Sequence, residues 1–352
     1  MVVMNAVCAK IIAPRTFAFV EETLPALGPH GILVRIDSVG LCRSDLPRYT
    51  GVASIEISPE GYRESSVMKF PGMVGHEPVG TVIDTGAEVT RFQVGDRITG
   101  HMPTCFRTHL VIQEDAMVFK LPETLRGDYR FCVAEPLGCI VNILNTVLEE
   151  SPGRVAVVGC GPLGLLTISG LRGLGMEEIT AVDLDRRKLS DAQAYGASAT
   201  LCPAEEDVRK AAYALTNGHF FDTVVEITGS LYGLETACRI IKFAHRNGIQ
   251  NAPYHGRGRV LACSVYGGGE SFPFGLAHDM MLRTPVIYAV HPSAAPDVLE
   301  NDRKGVEFYQ AGILPLDKMI THTCRFEELA VGFSWLEQAP EGYLKGLVLF
   351  DH

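Results

Sequence analysis

Residues 154–164, Arg-Val-Ala-Val-Val-Gly-Cys-Gly-Pro-Leu-Gly, constrain this chain more than any other stretch. A short β-branched run enters a glycine-rich turn, and Pro162 to Leu174 follows with the length and composition of a helix. In the pattern G-x-G-x-x-G, Gly159 permits the tight turn, Gly161 lets a pyrophosphate approach the backbone, and Gly164 lets helix and strand pack closely. The helix opening at Pro162 and Leu163 presents free amides and the positive end of its dipole to the phosphates. Asp183 ends the next strand-like run, nineteen residues after Gly164. An acid there accepts hydrogen bonds from ribose hydroxyls and repels a 2′-phosphate, which favours NAD over NADP. Arg186, Arg187 and Lys188 follow it and could tolerate a 2′-phosphate. They read as the first turns of the next helix, from which Lys188 reaches a ribose hydroxyl.

Around this unit the chain alternates strand and helix: Glu178 to Asp183, Arg186 to Tyr195, Thr223 to Glu226, Leu231 to Phe243, Arg259 to Ser264. Such alternation predicts an α/β fold with a doubly wound parallel sheet of Rossmann type. Residues 1–145 have another texture, short β-rich runs divided by Gly and Pro, among them Gly31 to Val39, Gly80 to Asp84, Arg97 to Gly100, His109 to Gln113 and Met117 to Leu121. The last 60 or so residues return to mixed structure and end in an apolar strand, Gly346 to Phe350. The expected architecture is a Rossmann domain, 149–288, inserted in a β-rich catalytic domain formed by 1–148 and 289–352.

Composition removes several function classes. With 41 acidic and 31 basic residues among 352, the net charge is −10 and no Lys/Arg-rich run exists, so neither nucleic acid nor an anionic membrane is an expected partner. The longest apolar stretch, Val155 to Leu171, is broken by four glycines and Pro162 and is too short for a span. Met1 to Pro14 does not read as a signal peptide, and the cytoplasm is the default location. Ten scattered cysteines with no C-x-x-C argue against a zinc ribbon and a disulfide framework.

Three further segments carry chemistry: Gly40-Leu41-Cys42-Arg43-Ser44-Asp45, Gly75-His76-Glu77 and Ala134-Glu135-Pro136-Leu137. One Cys, one His and one carboxylate are a donor set that a catalytic zinc uses, with a fourth position left for water or substrate. Spacing alone does not link segments so far apart. Together with Gly95-Asp96-Arg97, the dinucleotide fingerprint and Lys345 before the last strand, however, the chain resembles the zinc-dependent medium-chain alcohol and polyol dehydrogenases, and among them the sorbitol dehydrogenase branch with its Glu-Pro-Leu motif. The resemblance implies a GroES-like catalytic domain and one catalytic zinc held by Cys42, His76 and Glu135. Glu77 would approach the metal or exchange with water, Asp45 would orient His76, and Ser44 would pass on the alcohol proton. Arg43 and Lys345 would contact the pyrophosphate, with Cys139 near the nicotinamide. The implied reaction is hydride transfer between NAD and a secondary alcohol or ketone, in a homodimer or homotetramer.

Three departures qualify the resemblance. The cysteine-rich lobe that carries a structural zinc is absent after Gly95-Asp96-Arg97, so at most one zinc per chain is expected. Pro47 stands where the proton relay commonly continues to a histidine. Cys42 and His76 are 34 positions apart, with extra residues around Ser54 to Met68. Tyr49 and His101 are candidates for the substrate wall, which would suit a polyol, sugar or cyclitol. The competing readings are a zinc-free, NADPH-dependent quinone or enone reductase of the same superfamily, and a non-catalytic protein on the same scaffold.

Overall fold

A computed structural model describes residues 4–52, 54–57, 63–66, 70–102, 104–245, 253–264, 266 and 274–351. The chain divides into two compact units, one made of Met1–Leu137 with Leu316–His352 and the other of Gly138–Pro315.

In the first unit β1 (Asn5–Ala13) and β2 (Thr16–Thr23) form an antiparallel ribbon. The following strand β3 (Gly31–Gly40) is buried along nearly its whole length, because partners cover it on every side. After α1 (Leu46–Thr50) and a hairpin of β4 (Ser54–Ile57) and β5 (Arg63–Ser66), the chain adds β6 (Pro78–Thr85), β7 (Arg97–Gly100), β8 (His109–Gln113) and β9 (Val118–Lys120). β3 pairs antiparallel with β6 and with β8. Helix α2 (Ala134–Leu148) leads out of this unit. The core gathers Val34, Ile36, Val39, Ile98, Phe106 and Phe333, and burial of such side chains drives its assembly. Of the extra residues expected around 54–68, only β4 and β5 fall within the described residues.

The second unit begins with β10 (Val155–Val158), α3 (Pro162–Gly173), β11 (Ile179–Val182), α4 (Arg186–Ala194) and β12 (Ala199–Leu201). α5 (Val208–Leu215), β13 (Thr223–Glu226), α6 (Leu231–Ile240), β14 (Arg259–Ala262), α7 (Phe274–Arg283), β15 (Val286–Ala289) and α8 (Val298–Gln310) complete it. All the strand pairs are parallel, in the order β12-β11-β10-β13-β14-β15. This is the doubly wound order, with its reversal between β10 and β13. β10, β11 and β13 are buried at every position, which is why they read as continuous apolar runs rather than alternating ones.

The chain then returns to the first unit through α9 (Leu316–Met319), β16 (Ile320–Arg325), α10 (Leu329–Gln338) and β17 (Lys345–Leu349), and β17 pairs with β3. The units part at 137/138 and 315/316 rather than at 148/149 and 288/289. The second boundary moves because β15 ladders with β14 and Ser169 of α3 donates to the carbonyl of Ile313. Between β7 and β8, where the resemblance places a metal-binding lobe in relatives, the described residues 104–108 are bonded to the unit instead. Cys105 N–H donates to Gly75 O at 3.0 Å, its thiol to Met102 O, and Thr108 N–H to Val7 O.

Candidate metal and cofactor sites

β3 ends at Gly40 and delivers Cys42 into a short 3-10 turn, Arg43–Asp45. The segment before β6 brings up His76 and Glu77. A donor atom from each of Cys42, His76 and Glu77 lies within 4.8 Å of the other two. Sulfur, imidazole nitrogen and carboxylate oxygen at that spread suit zinc, whose bonds to such donors are roughly 2.0–2.3 Å long. Asp45 is buried, and its Oδ1 stands 3.3 Å from His76 Nδ1, so Nε2 is left for a metal. Ser44 Oγ lies 3.2 Å from Cys42 Sγ, to which it donates, and 3.4 Å from His76 Nε2. Burial would pull the imidazole pKa down, but Asp45 and Cys42 outweigh it and hold His76 at about 12.

Glu135 occupies the first turn of α2 and is outside the 4.8 Å group. It is nevertheless electrostatically part of the site. Burial raises its carboxyl to about 7 and the charge of Glu77 adds to the rise, against His76, His101 and Lys345. Two carboxylates therefore serve this neighbourhood, with Glu77 the one aligned beside Cys42 and His76. Residue 40 must be glycine here, since a Cβ would collide with Glu77 Oε2.

Lys345 is set to a use that the sequence did not disclose. Its buried ammonium stands 2.6 Å from Glu77 Oε2 and donates to Leu41 O at 3.2 Å. Burial lowers its affinity for a proton, but Glu77 and Cys42 more than restore it. Tyr343, two residues earlier, lies in the same field, and burial pushes its hydroxyl up to about 12. Arg43 is exposed at the start of the 3-10 turn, and Pro47 is exposed in the first turn of α1.

Tyr49 is not where the sequence reading put it. It is 4% exposed, stacks on Phe17 with ring centroids 5.0 Å apart, packs on Phe333 at 4.5 Å and donates its hydroxyl to Arg15 O. It is a core residue of the first unit rather than a wall for substrate. The charge of His101 acts on Glu135, lowering its carboxyl pKa.

In the second unit Gly159 has φ +103° and donates its N–H to Val182 O. A Cβ on Gly164 would collide with Gly159 O, whereas one on Gly161 would point into open space. One glycine thus permits the close strand-to-helix contact, and the other leaves the space a pyrophosphate needs. Pro162 opens α3 at its first turn, followed by Leu163. Asp183 Oδ2 accepts from Cys160 N–H at 2.8 Å and Oδ1 from Asp185 N–H at 3.0 Å, so the carboxylate is fixed at the strand end with lone pairs to spare. Arg186 pairs with Glu205 at 2.6 Å and Arg187 with Asp185 at 3.2 Å. Lys188 lies half-buried in the first turn of α4, and Cys139 half-buried in α2.

Sequence reasoning passed over Glu226, the fully buried last residue of β13. The available signal was an acid closing an otherwise apolar parallel strand, Thr-Val-Val-Glu.

Residues 28–143 match the model for the alcohol dehydrogenase GroES-like domain and residues 162–247 the model for zinc-binding dehydrogenases. An erythritol/L-threitol dehydrogenase of Mycolicibacterium smegmatis is 23% identical over 95% of both chains. An L-threonine 3-dehydrogenase of Bacillus subtilis is 26% identical over 92% of both. Among solved structures, a zinc-binding dehydrogenase of Sinorhizobium meliloti with NADP bound superposes with a TM-score of 0.77 at 21% identity, covering 98% of this chain and 99% of the other. With its paired folds and its Cys-His-Glu group, this chain belongs to the zinc-type medium-chain dehydrogenase family.

Proposed function

We propose that the protein is a zinc-dependent dehydrogenase that moves hydride between a nicotinamide cofactor, NAD in preference to NADP, and a secondary alcohol of the polyol, sugar or cyclitol class. The observation that carries the reading is the meeting of Cys42, His76 and Glu77, with Asp45 and Ser44 at hydrogen-bonding range around them. A zinc-free reductase would give these residues no reason to converge. Cys42 and His76 would hold the metal with a carboxylate from Glu135, and Glu77, paired with Lys345, would be available as a further carboxylate donor. Zinc at such a site supplies Lewis acidity, which brings an alcohol's pKa toward neutrality. Ser44 would accept the released proton at Oγ while passing its own hydroxyl proton on to water or a cofactor hydroxyl, and Asp45 holds His76 in one tautomer. Arg43 and Lys188 supply positive charge for pyrophosphate and ribose, and Lys345 is held back by Glu77. Cys139 on α2 is assigned to the nicotinamide end of the cofactor.

The substrate class draws support from the relatives' substrates. Erythritol, threitol and threonine each carry a secondary hydroxyl beside a second polar group. Turnover against a panel of polyols, sugars, cyclitols and their ketones, followed by cofactor absorbance in both directions, tests the reading. Activity is expected with vicinal diols, faster with NAD than NADP, and Asp183→Ala should shrink that preference about tenfold by removing acceptors for the ribose hydroxyls. An NADP preference in the unaltered enzyme would overturn the role of Asp183. Loss-free activity after complete zinc removal would overturn the mechanism.

We further infer a homo-oligomer in which two copies meet along β15. Among the described residues this strand ends the sheet order, and its Ile287 and Tyr288 are both exposed, as are Met281 and Leu282 of α7. An open apolar edge of this kind pairs with another strand unless something covers it, and a two-fold axis lets one strand pair with its own copy. Tyr288→Asp with Ile287→Lys should convert the species seen by light scattering to monomer, and an unchanged mass would refute this edge. None of the ten cysteines is in a disulfide. No helix among the described residues is long and apolar enough to cross a membrane.

A further inference from the structure

Glu226 closes β13 at the carboxyl edge of the sheet, next to the point where the strand order reverses. It is fully buried, and its carboxylate accepts three hydrogen bonds. Thr228 N–H donates to Oε1 at 2.8 Å, the Thr228 hydroxyl also donates to Oε1, and the Tyr266 hydroxyl donates to Oε2. Ser230 N–H in turn donates to Thr228 Oγ1 at 3.0 Å. The carboxylate thereby fixes the turn 227–230 and ties it to the segment that follows β14, where Cys263 N–H donates to Glu226 O at 2.9 Å.

That turn is a wall of the dinucleotide cradle. A Cβ on Gly159 would come within 2.9 Å of Thr228 Cγ2 and 3.2 Å of Thr228 N, and one on Gly164 within 3.4 Å of Ile227 Cγ2. The fingerprint glycines and the turn held by Glu226 are in direct contact, so a shift of Thr228 is a shift of the phosphate-binding loop. Ligands of such sheets bind in the crevice outside these strand ends.

We propose that Glu226 is a positioning residue for the nicotinamide cofactor, and that its ionised carboxylate holds the 227–230 turn in the cofactor-binding shape. The inference rests on the cofactor reading given above. A carboxylate accepts all three hydrogen bonds at once, whereas a protonated carboxyl must make the Thr228 or Tyr266 hydroxyl turn round to accept from it, which loosens the hold on the turn. Burial raises the carboxyl pKa, and the bonds from Thr228 and Tyr266 pull against that rise. The ionisable groups facing it are Tyr266 and Cys263, both pushed up by burial and by Glu226 itself. α6 presents Gly233 to it, and its ladder partners on β10 and β14 are Val158 and Ala262.

The sign follows directly. Cofactor binding selects the ionised form, so affinity is full above the carboxyl's pKa and falls as the pH drops through it, by up to about tenfold per pH unit. The test is titration of the zinc-loaded protein with NADH, read by fluorescence between pH 5 and 8.5, with melting temperature recorded for each variant. Wild type should lose affinity toward low pH. Glu226→Gln, which keeps the shape without the charge, should bind about tenfold more weakly at pH 8 and stay nearly flat with pH. Tyr266→Phe removes one donor from the ionised form, so it should move the wild-type midpoint to higher pH. Glu226→Gln with wild-type affinity and an unchanged pH profile would overturn the proposal, as would an unmoved midpoint in Tyr266→Phe. Absence of NADH binding by the wild type at every pH would instead overturn the cofactor reading on which the proposal rests.

Discussion

Cys42→Ser is expected to leave the purified protein with under about a tenth of its zinc and to slow turnover by much more than the roughly 10–100-fold that loss of an outer hydrogen-bond partner brings. The substitution replaces a soft, ionisable sulfur by a neutral hydroxyl in nearly the same volume, so it removes a metal bond without opening a cavity. Ser44, 3.2 Å from the Cys42 sulfur, would keep a hydroxyl acceptor there, so the expected loss comes from the metal bond and not from the Ser44 contact. Asp45→Asn is the calibrating comparison. It leaves the metal donors in place and weakens only the hold on His76 Nδ1, so it should fall within the 10–100-fold range with most zinc retained. Elemental analysis and turnover at saturating NAD check both. NADH binding, which belongs to the other unit of the fold, should survive in each variant. Zinc content and turnover within twofold of wild type in Cys42→Ser would remove the metal from the mechanism. Glu77→Gln and Glu135→Gln, run beside it, report which carboxylate matters to zinc retention and which only to rate.

The parts of this molecule legible in the sequence are those where a local pattern and a chemical need coincide. Gly159, Gly161, Gly164 and Asp183 lie within one strand-turn-helix-strand unit, and their spacing is dictated by a turn, a phosphate-sized space and a strand end. β10, β11 and β13 were equally plain, since a strand buried on both faces leaves an unbroken apolar run. What escaped was set by distant packing. Tyr49 sits seven residues from a metal-binding cysteine, yet its orientation is decided by Phe17 and Phe333, residues far away in the chain. Lys345 carries a charge that a cofactor's pyrophosphate could use, but its environment is fixed by Glu77 and by the carbonyl of Leu41, brought near only because β17 pairs with β3. The choice between Glu77 and Glu135 as the carboxylate beside Cys42 is likewise a matter of a few ångströms between segments, which no spacing rule reports.

Asp279→Ala should be the most destabilising single change in the dinucleotide-binding unit, costing roughly 3–5 kcal/mol, the range for breaking a buried ion pair from one side. Asp279 is 2% exposed and gathers charges from three helices. Arg209 of α5 stands 2.6 Å away, Arg239 of α6 3.6 Å and Arg283 of α7 4.0 Å. Among the ion pairs of the described residues, Glu235, paired with Arg239 at 2.6 Å, is the acid left to these three guanidinium groups when Asp279 is removed. Arg283 suffers most. It is 1% exposed, lies between the rings of Phe220 and Phe243 at 4.2 and 4.1 Å, and donates to Ile241 O. Burial lowers its pKa to about 10 even with Asp279 present, a sign that its charge is held at a cost which the carboxylate offsets. For a unit of this size the melting temperature should fall by roughly 6–20 °C, taking about 2–4 °C per kcal/mol. The reason for the loss is an abandoned charge rather than a missing hydrogen bond, and that distinction is measurable. Arg283→Met fills the slot between the two rings with an apolar, flexible side chain, so Asp279→Ala combined with Arg283→Met should melt higher than Asp279→Ala alone. Calorimetry of the cofactor-free protein decides between the two accounts: if the double variant is less stable than the single one, the interaction among these helices is ordinary additive packing and the electrostatic explanation fails.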